Sequence, residues 1–445
     1  MKHFLREAEQ QEGVWTMKKA MFSGKQIAKM LSQHVFLPAV YDLHRPCRTE
    51  KNLVVFADAH HDRRPEAMEL LYRRLRKDKR LRIRQLYLDF GKASAREVLE
   101  FSSRFMSLYT KASVVLICDN FLPVTSCRKK KDTLVVQLWH AAGCYKKFGY
   151  DSEDDIPRGY VGDVFRNMDL VTVSSEAARG PFESAMRKSP EQVEALGISR
   201  TDLYYSEKWR RKCIEQFRKL YPEVYEENPE RAKKAETAGR KTVESVDDES
   251  RGDAEKGEYH GSVKKKKVVL YAPTFRGNAG MPELDLPDMK KLQDELGDGY
   301  LVLTRLLPHM KDDQKLQADN CPIPPEQLYP VVDVLIGDYS SLIYEYLLCS
   351  EIGRREEEKN KGILVLYVPD LDQYERRRGF YMDIRELPGE IVKTESGLAE
   401  AVRRASSQVR APESVSNFLD TYMSACDGHA TERIARRILD RCGLS

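Results

Sequence analysis

The stretch 328–346 reads LYPVVDVLIGDYSSLIYEY and is the most informative part of this chain. Its segment from Val331 to Ile336 has the length and β-branched composition of a buried strand, and an apolar helix is predicted from Leu342 to Leu348. Gly337 ends the strand, and Asp338 to Ser341 supply a helix-capping residue and two hydroxyl groups where the helix begins. A strand, a short turn and a helix start form an anion site in α/β folds, because unpaired N–H groups and the positive end of the helix dipole converge there.

The side chains around this helix start suggest what kind of ligand it binds. Ser340 and Ser341 add hydroxyl donors, and Glu345 follows Ser341 by one helical turn on the same face. Hydrogen-bond donors to a phosphate, beside a carboxylate that accepts hydrogen bonds from hydroxyl groups, suit a ligand such as a nucleotide-activated alcohol or sugar. This stretch alone also fits an ordinary capped helix that binds no ligand.

Composition excludes several classes of protein. The 445 residues are enough for two domains, and 41% hydrophobic residues are typical of a globular protein. A net charge of +4, from 74 basic and 70 acidic residues, argues against a dedicated nucleic-acid binder. The nine cysteines form no Cys-x-x-Cys pair, so neither a disulfide framework nor a zinc site is indicated. No segment has the length and apolarity of a membrane span or a signal peptide, which predicts a cytoplasmic protein.

Strand-like and helix-like segments alternate along most of the chain, which predicts the α/β class with parallel sheets. Residues 1–51 are predicted to be a helical segment that is a candidate for peripheral membrane contact. Residues 52–227 are predicted to form a first Rossmann-like domain, the one expected to bind the acceptor substrate of a transfer reaction. Residues 228–267 are dominated by charged residues, glycine and serine, and are predicted to be a flexible insertion. Residues 268–445 form a second Rossmann-like domain with closing helices.

Polar side chains follow four of the predicted strands. In open parallel sheets the ligand lies beyond the carboxyl ends of the strands, so these are the candidate site residues. A histidine in such a place is a candidate general base, and arginine and threonine side chains suit phosphate. His140 with a small-residue loop follows the strand 134–139, and Arg200 with Asp202 follows the strand 196–197. Thr274 with Arg276 follows the strand 268–271, and Arg305 with His309 follows the strand 300–304.

These motifs together carry a family resemblance over roughly residues 130–390. The chain resembles the CDP-glycerol glycerophosphotransferases, the teichoic-acid primases and polymerases of Gram-positive bacteria. The motifs are Gln137–Gly143 with Lys146–Gly149, Val173–Glu176, Leu196–Asp202, Leu270–Arg276, Asp333–Ser341, and Val368–Tyr374 with Arg378–Tyr381.

The resemblance implies a GT-B-like architecture, in which two Rossmann-type parallel-sheet domains face a central cleft. It also implies transfer of glycerol phosphate from CDP-glycerol to a hydroxyl group of a lipid-linked surface polymer or its primer, with release of CMP. His140 and His309 become the candidate catalytic residues. The substrate-binding residues carried over are Ala141, Ala142, Gly143, Cys144, Arg200, Pro273, Thr274, Arg276, Arg305, Ser340, Ser341 and Glu345.

The sequence departs from the family pattern at three places. Trp139-His140-Ala141-Ala142-Gly143 stands where the family often has Trp-His-Gly-Thr, and the usual Arg-x-His-Pro becomes Arg305-Leu-Leu-Pro-His309. Glu345 replaces the usual aspartate.

The remaining expectations concern cofactors, partners and location. The fold that the resemblance implies can replace a cation with a helix dipole and basic side chains, so no tightly bound metal or other cofactor is expected. The protein is expected on the inner face of the cell membrane, in contact with anionic lipid. A nucleotide-sugar glycosyltransferase and a non-catalytic polymer-binding relative stay open as alternatives.

Overall fold

The structure is a computed structural model that describes residues 30–156, 158, 160, 162–225, 266–274, 286–305, 319–353, 364–407 and 412–444. Most of the predicted N-terminal segment and nearly all of the predicted insertion at 228–267 lie outside the described residues. Arg276 and His309 lie outside them as well. Contacts divide the chain into two compact units, which are 1–205 with 378–382 and 417–445, and 206–377 with 383–416.

The first unit is built on a six-stranded parallel sheet. Its strand order is β2-β1-β3-β4-β5-β6, so the order reverses between β1 and β3. Apolar, β-branched residues fill the central strands, and every residue of β3 is buried. The strands are β1 (Glu50–Asp58), β2 (Arg82–Tyr87), β3 (Ala112–Ile117), β4 (Leu134–Gln137), β5 (Leu170–Thr172) and β6 (Val193–Glu194).

Helices cover both faces of this sheet. The helices of the first unit are α1 (Leu37–His44), α2 (Glu66–Leu75), α3 (Ala95–Tyr109), α4 (Leu122–Thr125) and α5 (Arg179–Met186), and a helix near the C-terminus joins them. Helix α3 begins with a full capping box, in which the side chains of Ser94 and Glu97 bond each other's backbone N–H groups. Its apolar face packs into one core, and α2 packs into the core on the opposite face.

The second unit has the doubly wound order β12-β11-β10-β7-β8-β9, with all neighbouring strands parallel. The reversal lies between β7 and β10, the place where such sheets bind ligands. The strands are β7 (Lys267–Tyr271), β8 (Tyr300–Thr304), β9 (Asp319–Asn320), β10 (Val334–Gly337), β11 (Leu364–Tyr367) and β12 (Glu390–Val392). The helices are α6 (Glu207–Leu220), α7 (Met289–Leu296), α8 (Pro325–Leu328), α9 (Leu342–Gly353), α10 (Leu371–Arg377) and α11 (Leu398–Ser407). The next helix, α12 (Pro412–Tyr422), begins in the second unit, and its residues from 417 onward belong to the first.

The two units differ from the predicted boundaries of 52–227 and 268–445 at both ends. Helix α6 belongs to the second unit, although it precedes β7. The last helix, α13 (Ala430–Cys442), returns to the first unit, because its apolar stripe buries Ile434 and Ile438 in the same core as α2. Arg74 on α2 also donates two hydrogen bonds to Glu432 on α13.

The predicted fold class is confirmed, since both units contain a Rossmann-type parallel sheet covered by helices. The strand containing 331–336 begins three residues later than predicted and runs one residue further, to Gly337. The strand predicted over 134–139 ends at Gln137. Within the described residues, no helix is long and apolar enough to cross a membrane.

Candidate active site

His140 lies just beyond β4 on a strained piece of backbone. The preceding residue, Trp139, has a φ of 54°, a conformation that costs a bulky side chain energy. Its ring is buried against Phe148 and Phe182, and its N–H donates to Oε1 of Gln137 at 3.0 Å. Packing on one side and a side-chain acceptor on the other therefore hold the turn that directs His140 away from the strand.

The His140 ring is half exposed and is held through Nδ1. This atom lies 3.3 Å from the carbonyl oxygen of Cys118 and 3.4 Å from Oδ2 of Asp119. The ring also packs on Trp139, with 4.5 Å between centroids. With Nδ1 bound to the protein, Nε2 is the nitrogen left for a substrate proton, which fits the predicted role of general base.

The sequence analysis missed a second polar cluster, at the strand-order reversal between β1 and β3. Asp58, the last residue of β1, is only 2% exposed. Its Oδ2 accepts hydrogen bonds from the His60 N–H at 2.8 Å and from Nδ1 of His61 at 2.9 Å. Its Oδ1 accepts from the Cys118 thiol at 3.5 Å. This cluster could have been predicted, because Asp58-Ala-His-His directly follows the apolar, strand-like run 53–57, and ligands bind beyond the carboxyl ends of parallel strands.

Electrostatics keep the thiol of this cluster in its neutral form. Burial, and then the neighbouring Asp58 carboxylate, raise the pKa of Cys118 well above its usual value, against the opposing charge of Arg200. Predicted Arg200 lies in the 3₁₀ turn Ser199–Tyr205 after β6. Asp202, in the same turn, accepts hydrogen bonds from the first N–H groups of α13, so its role is to cap that helix.

The small-residue loop after His140 is less open than predicted. Gly143 has a φ of 71°, which favours glycine, but its N–H donates to the Ser174 hydroxyl at 3.1 Å. The Gly143 N–H is therefore bound to the protein itself, and the predicted contact of this loop with the substrate stays a prediction. Ala142 and Cys144 are buried, whereas Ala141 is partly exposed.

A segment from the later part of the chain supports this loop within the first unit. Arg378 donates to both carboxylate oxygens of Asp155 at 2.8 Å and to the carbonyl oxygen of Lys147 at 2.9 Å. Phe380 stacks on Tyr145 with 5.1 Å between ring centroids. The motif Arg378–Tyr381, quoted above for the resemblance, therefore serves to hold the loop that follows His140.

In the second unit, the predicted helix cap at Asp338 is wrong. The Asp338 carboxylate instead accepts hydrogen bonds from the Thr274 N–H at 2.9 and 3.0 Å, from the Thr274 hydroxyl at 2.6 Å and from the Tyr339 N–H at 2.6 Å. It joins the ends of β10 and β7, where the strand order reverses. The hydroxyl of Ser340 accepts from the Leu342 N–H at 3.3 Å and is the side-chain contact at the start of α9.

The structure brings several other predicted residues to this same sheet edge. Arg305 follows β8 and its N–H donates to the carbonyl oxygen of Tyr271, the last residue of β7. Pro273 is buried, whereas Ser340 and Ser341 are partly exposed. Glu345 is only 3% exposed, so little of its carboxylate is open to a ligand. Its predicted contact with ligand hydroxyls, and the roles of Arg276 and His309 outside the described residues, stay predictions.

The site residues thus form two groups, each at the carboxyl edge of its own sheet. The first contains His140, which follows β4, and Arg200, which lies in the turn after β6. The second contains Thr274 and Ser340, with Arg305 beside them. Among the residues that the structure describes, no group of three or more His, Cys, Asp or Glu side chains could hold a metal ion.

The sequence of this chain is similar to known proteins over most of its length. Residues 39–222 and 245–440 match the family model for CDP-glycerol:poly(glycerophosphate) glycerophosphotransferase. The chain is 29% identical over 400 residues to a teichoic acid ribitol-phosphate primase of Bacillus spizizenii, covering 86% of this chain and 89% of the relative. It is 24% identical over 338 residues to a teichoic acid glycerol-phosphate primase of Bacillus subtilis, covering 72% of each.

The fold is also found among solved structures. A structure of the wall teichoic acid polymerase TagF covers 97% of this chain and 98% of its own, with a TM-score of 0.64 at 18% identity. This likeness confirms the predicted GT-B-like fold. Because the family model covers most of its length, the chain belongs to the CDP-glycerol:poly(glycerophosphate) glycerophosphotransferase family and has the glycerophosphotransferase type of activity.

Proposed function

We propose that this protein transfers glycerol phosphate from CDP-glycerol to a hydroxyl group of a lipid-linked teichoic acid primer or polymer, releasing CMP. The observation that carries the proposal is the fixed, half-exposed ring of His140 at the carboxyl edge of the first sheet. The family description names the donor, and the curated relatives are primases and polymerases of teichoic acids.

In the proposed reaction, an acceptor hydroxyl oxygen attacks the phosphorus that carries glycerol. The bond from this phosphorus to the bridging oxygen breaks, and CMP leaves with that oxygen. His140 takes the hydroxyl proton on Nε2 and later returns it to solvent. General-base catalysis of this kind contributes on the order of 10²- to 10⁴-fold to the rate.

The second unit supplies positive charge and hydrogen-bond donors that stabilise the negative charge on the phosphates as the pyrophosphate bond breaks and CMP leaves. The start of α9 carries the positive end of a helix dipole, and the hydroxyls of Ser340 and Ser341 are partly exposed beside it. Arg305 adds a fixed positive charge at the neighbouring strand end. In this proposal such groups stabilise the charge of phosphoryl transfer in place of a bound metal, so full activity is expected in the presence of EDTA.

A donor screen tests the proposal and its main competitor. The relative with 29% identity is a ribitol-phosphate primase, which favours CDP-ribitol as a second candidate donor. Purified protein is incubated with a lipid-linked acceptor and CDP-glycerol, CDP-ribitol or a UDP-sugar, and the products are weighed by mass spectrometry. A mass increase of one glycerol phosphate with equal release of CMP supports the proposal. Ribitol phosphate transfer, sugar transfer or no transfer would each overturn the assigned donor.

The role of His140 is tested by His140→Ala. We expect CMP release to fall by at least about 100-fold, because the base is lost. Circular dichroism and the melting temperature should stay close to the parent values, since the ring is half exposed and contributes little to the core. Near-normal turnover in a folded variant would contradict the general-base role.

Membrane contact is the last part of the proposal. Large apolar side chains are exposed on the first described helical segment, where Leu31, Val35 and Leu43 are 58%, 61% and 77% exposed. Val35 lies in the π-helical turn Ser32–Phe36 and Leu43 lies in α1, which follows it directly. Such a surface fits insertion into the interface of an anionic bilayer. Val35→Ser/Leu43→Ser should weaken sedimentation with phosphatidylglycerol vesicles, and equal sedimentation of both forms would refute the contact.

A further inference from the structure

We infer that Asp119 is a positioning residue that fixes the tautomer and orientation of His140. This inference rests on the proposed function, in which His140 takes the acceptor proton. Asp119 follows β3, and its Oδ2 lies 3.4 Å from Nδ1 of His140. The sequence alone does not predict that Asp119 and His140 are in contact, because they follow different strands.

The hydrogen-bond chemistry of Nδ1 determines which tautomer is present. Both groups that face Nδ1, the Cys118 carbonyl oxygen and the Asp119 carboxylate, can only accept hydrogen bonds. The proton of the neutral ring must therefore be on Nδ1, which leaves the lone pair on Nε2. Once Nε2 gains a proton, the adjacent carboxylate stabilises the resulting imidazolium.

Asp119 is itself held in place, which a positioning residue requires. Its Oδ1 accepts the Asn120 N–H at 2.6 Å, and its carbonyl oxygen accepts the Gln137 side-chain amide at 3.1 Å. The same Gln137 side chain accepts the N–H of Trp139, the strained residue before His140. One amide side chain thus fixes both the end of β3 and the turn that carries the base.

Two other roles for Asp119 are conceivable from its surroundings. It is 29% exposed and could serve only the local turn through the Asn120 N–H. It also faces His60, whose Nε2 is 3.9 Å from Oδ2, but that ring already lies 3.3 Å from the Asn120 carbonyl oxygen. The shorter distance to Oδ2 favours His140 as its functional partner.

The test is Asp119→Asn in the full chain, with ¹⁵N-detected histidine spectra and steady-state kinetics. An amide can donate to Nδ1, so we expect the His140 signal, assigned with a His140→Gln sample, to move toward the Nε2–H tautomer. We expect kcat to fall at least about tenfold while KM for CDP-glycerol stays within about twofold, the pattern of a lost group that acts on the base.

Controls separate the outcomes. Asp89→Asn removes another carboxylate that follows a strand and accepts a local N–H, that of Gly91, and should change neither the spectrum nor kcat. Asp119→Glu should restore part of the lost rate and the Nδ1–H signal. An unchanged His140 tautomer in Asp119→Asn, or an unchanged kcat, overturns the inference. If the parent protein transfers no glycerol phosphate, the proposed function fails, while the spectra still decide whether Asp119 sets the tautomer.

Discussion

Replacing Asp338 by alanine should destabilise the second unit far more than an ordinary strand-end substitution. The carboxylate is 1% exposed and accepts hydrogen bonds from three donors, which are the N–H and hydroxyl of Thr274 and the N–H of Tyr339. These bonds tie the end of β10 to the residues after β7. A single buried side chain therefore connects two strand ends that otherwise lead into separate loops.

The magnitude follows from the number and type of these bonds. A hydrogen bond to a charged acceptor contributes about 1.5–3 kcal/mol, and a buried donor left without a partner costs about 1–3 kcal/mol. Thr274 is partly exposed, so water recovers some of the loss on its side. We expect Asp338→Ala to lower the free energy of unfolding by about 3–5 kcal/mol. Thr274→Val removes only the hydroxyl donor and should cost about 1–2 kcal/mol.

The assay is urea unfolding with peptide-resolved hydrogen exchange, because the two units need not unfold together. Protection should fall in peptides from β7 and β10 and stay unchanged in β1 and β3. Asp298→Ala, at an exposed turn of the second unit, is the control and should stay within about 0.5 kcal/mol of the parent. A loss below about 1 kcal/mol in Asp338→Ala, or equal losses in Asp338→Ala and Thr274→Val, would refute the reasoning.

Two further predictions follow from the contacts described. Ser340→Ala/Ser341→Ala should weaken the binding of CDP-glycerol, measured by calorimetry, by about 100-fold. It should lower the free energy of unfolding by about 0.5–1 kcal/mol, because the Ser340 hydroxyl accepts the Leu342 N–H. Unchanged affinity would show that the serines act only as caps. The hydrogen bond from Arg74 lowers the pKa of Glu432 below its ordinary 4.5. The stabilisation that this pair gives the folded state is therefore fully present above pH 4.5 and is lost as the pH falls through the lowered pKa. Glu432→Gln should flatten the acid side of the stability curve by less than about 1 kcal/mol, because the pair is solvent-screened, and an unchanged acid side would show that the pair contributes nothing.

Local patterns were enough to predict most of the elements. The strand over 300–304 lies where the sequence places it. Helix α6 was missed, although Trp209, Cys213 and Phe217 repeat at the four-residue spacing of one helix face, which is the signal that predicts it. The return of α13 to the first unit could not be predicted, because it depends on contacts between residues more than 350 positions apart.

The candidate site was predictable only as far as single residues at strand ends. His140 was found because it follows a buried strand, but its partners follow other strands and are joined to it only by the fold. The positive φ of Trp139 runs against the preference of a bulky residue, so no local rule predicts the turn. Asp338 was assigned to the wrong partner for the same reason, since a capping preference is local and the bond to Thr274 is not.

The two sheets solve the same physical problem in the same way. Where the strand order reverses, two adjacent strand ends diverge into separate loops, and a buried aspartate joins them. Asp58 bonds the Cys118 thiol across β1 and β3, and Asp338 bonds Thr274 across β10 and β7. In the first sheet, the Cys118 carbonyl then holds His140; in the second, the residues after Asp338 start α9. Each aspartate therefore joins two strand ends beside a candidate site residue, which is His140 in the first sheet and Ser340 in the second.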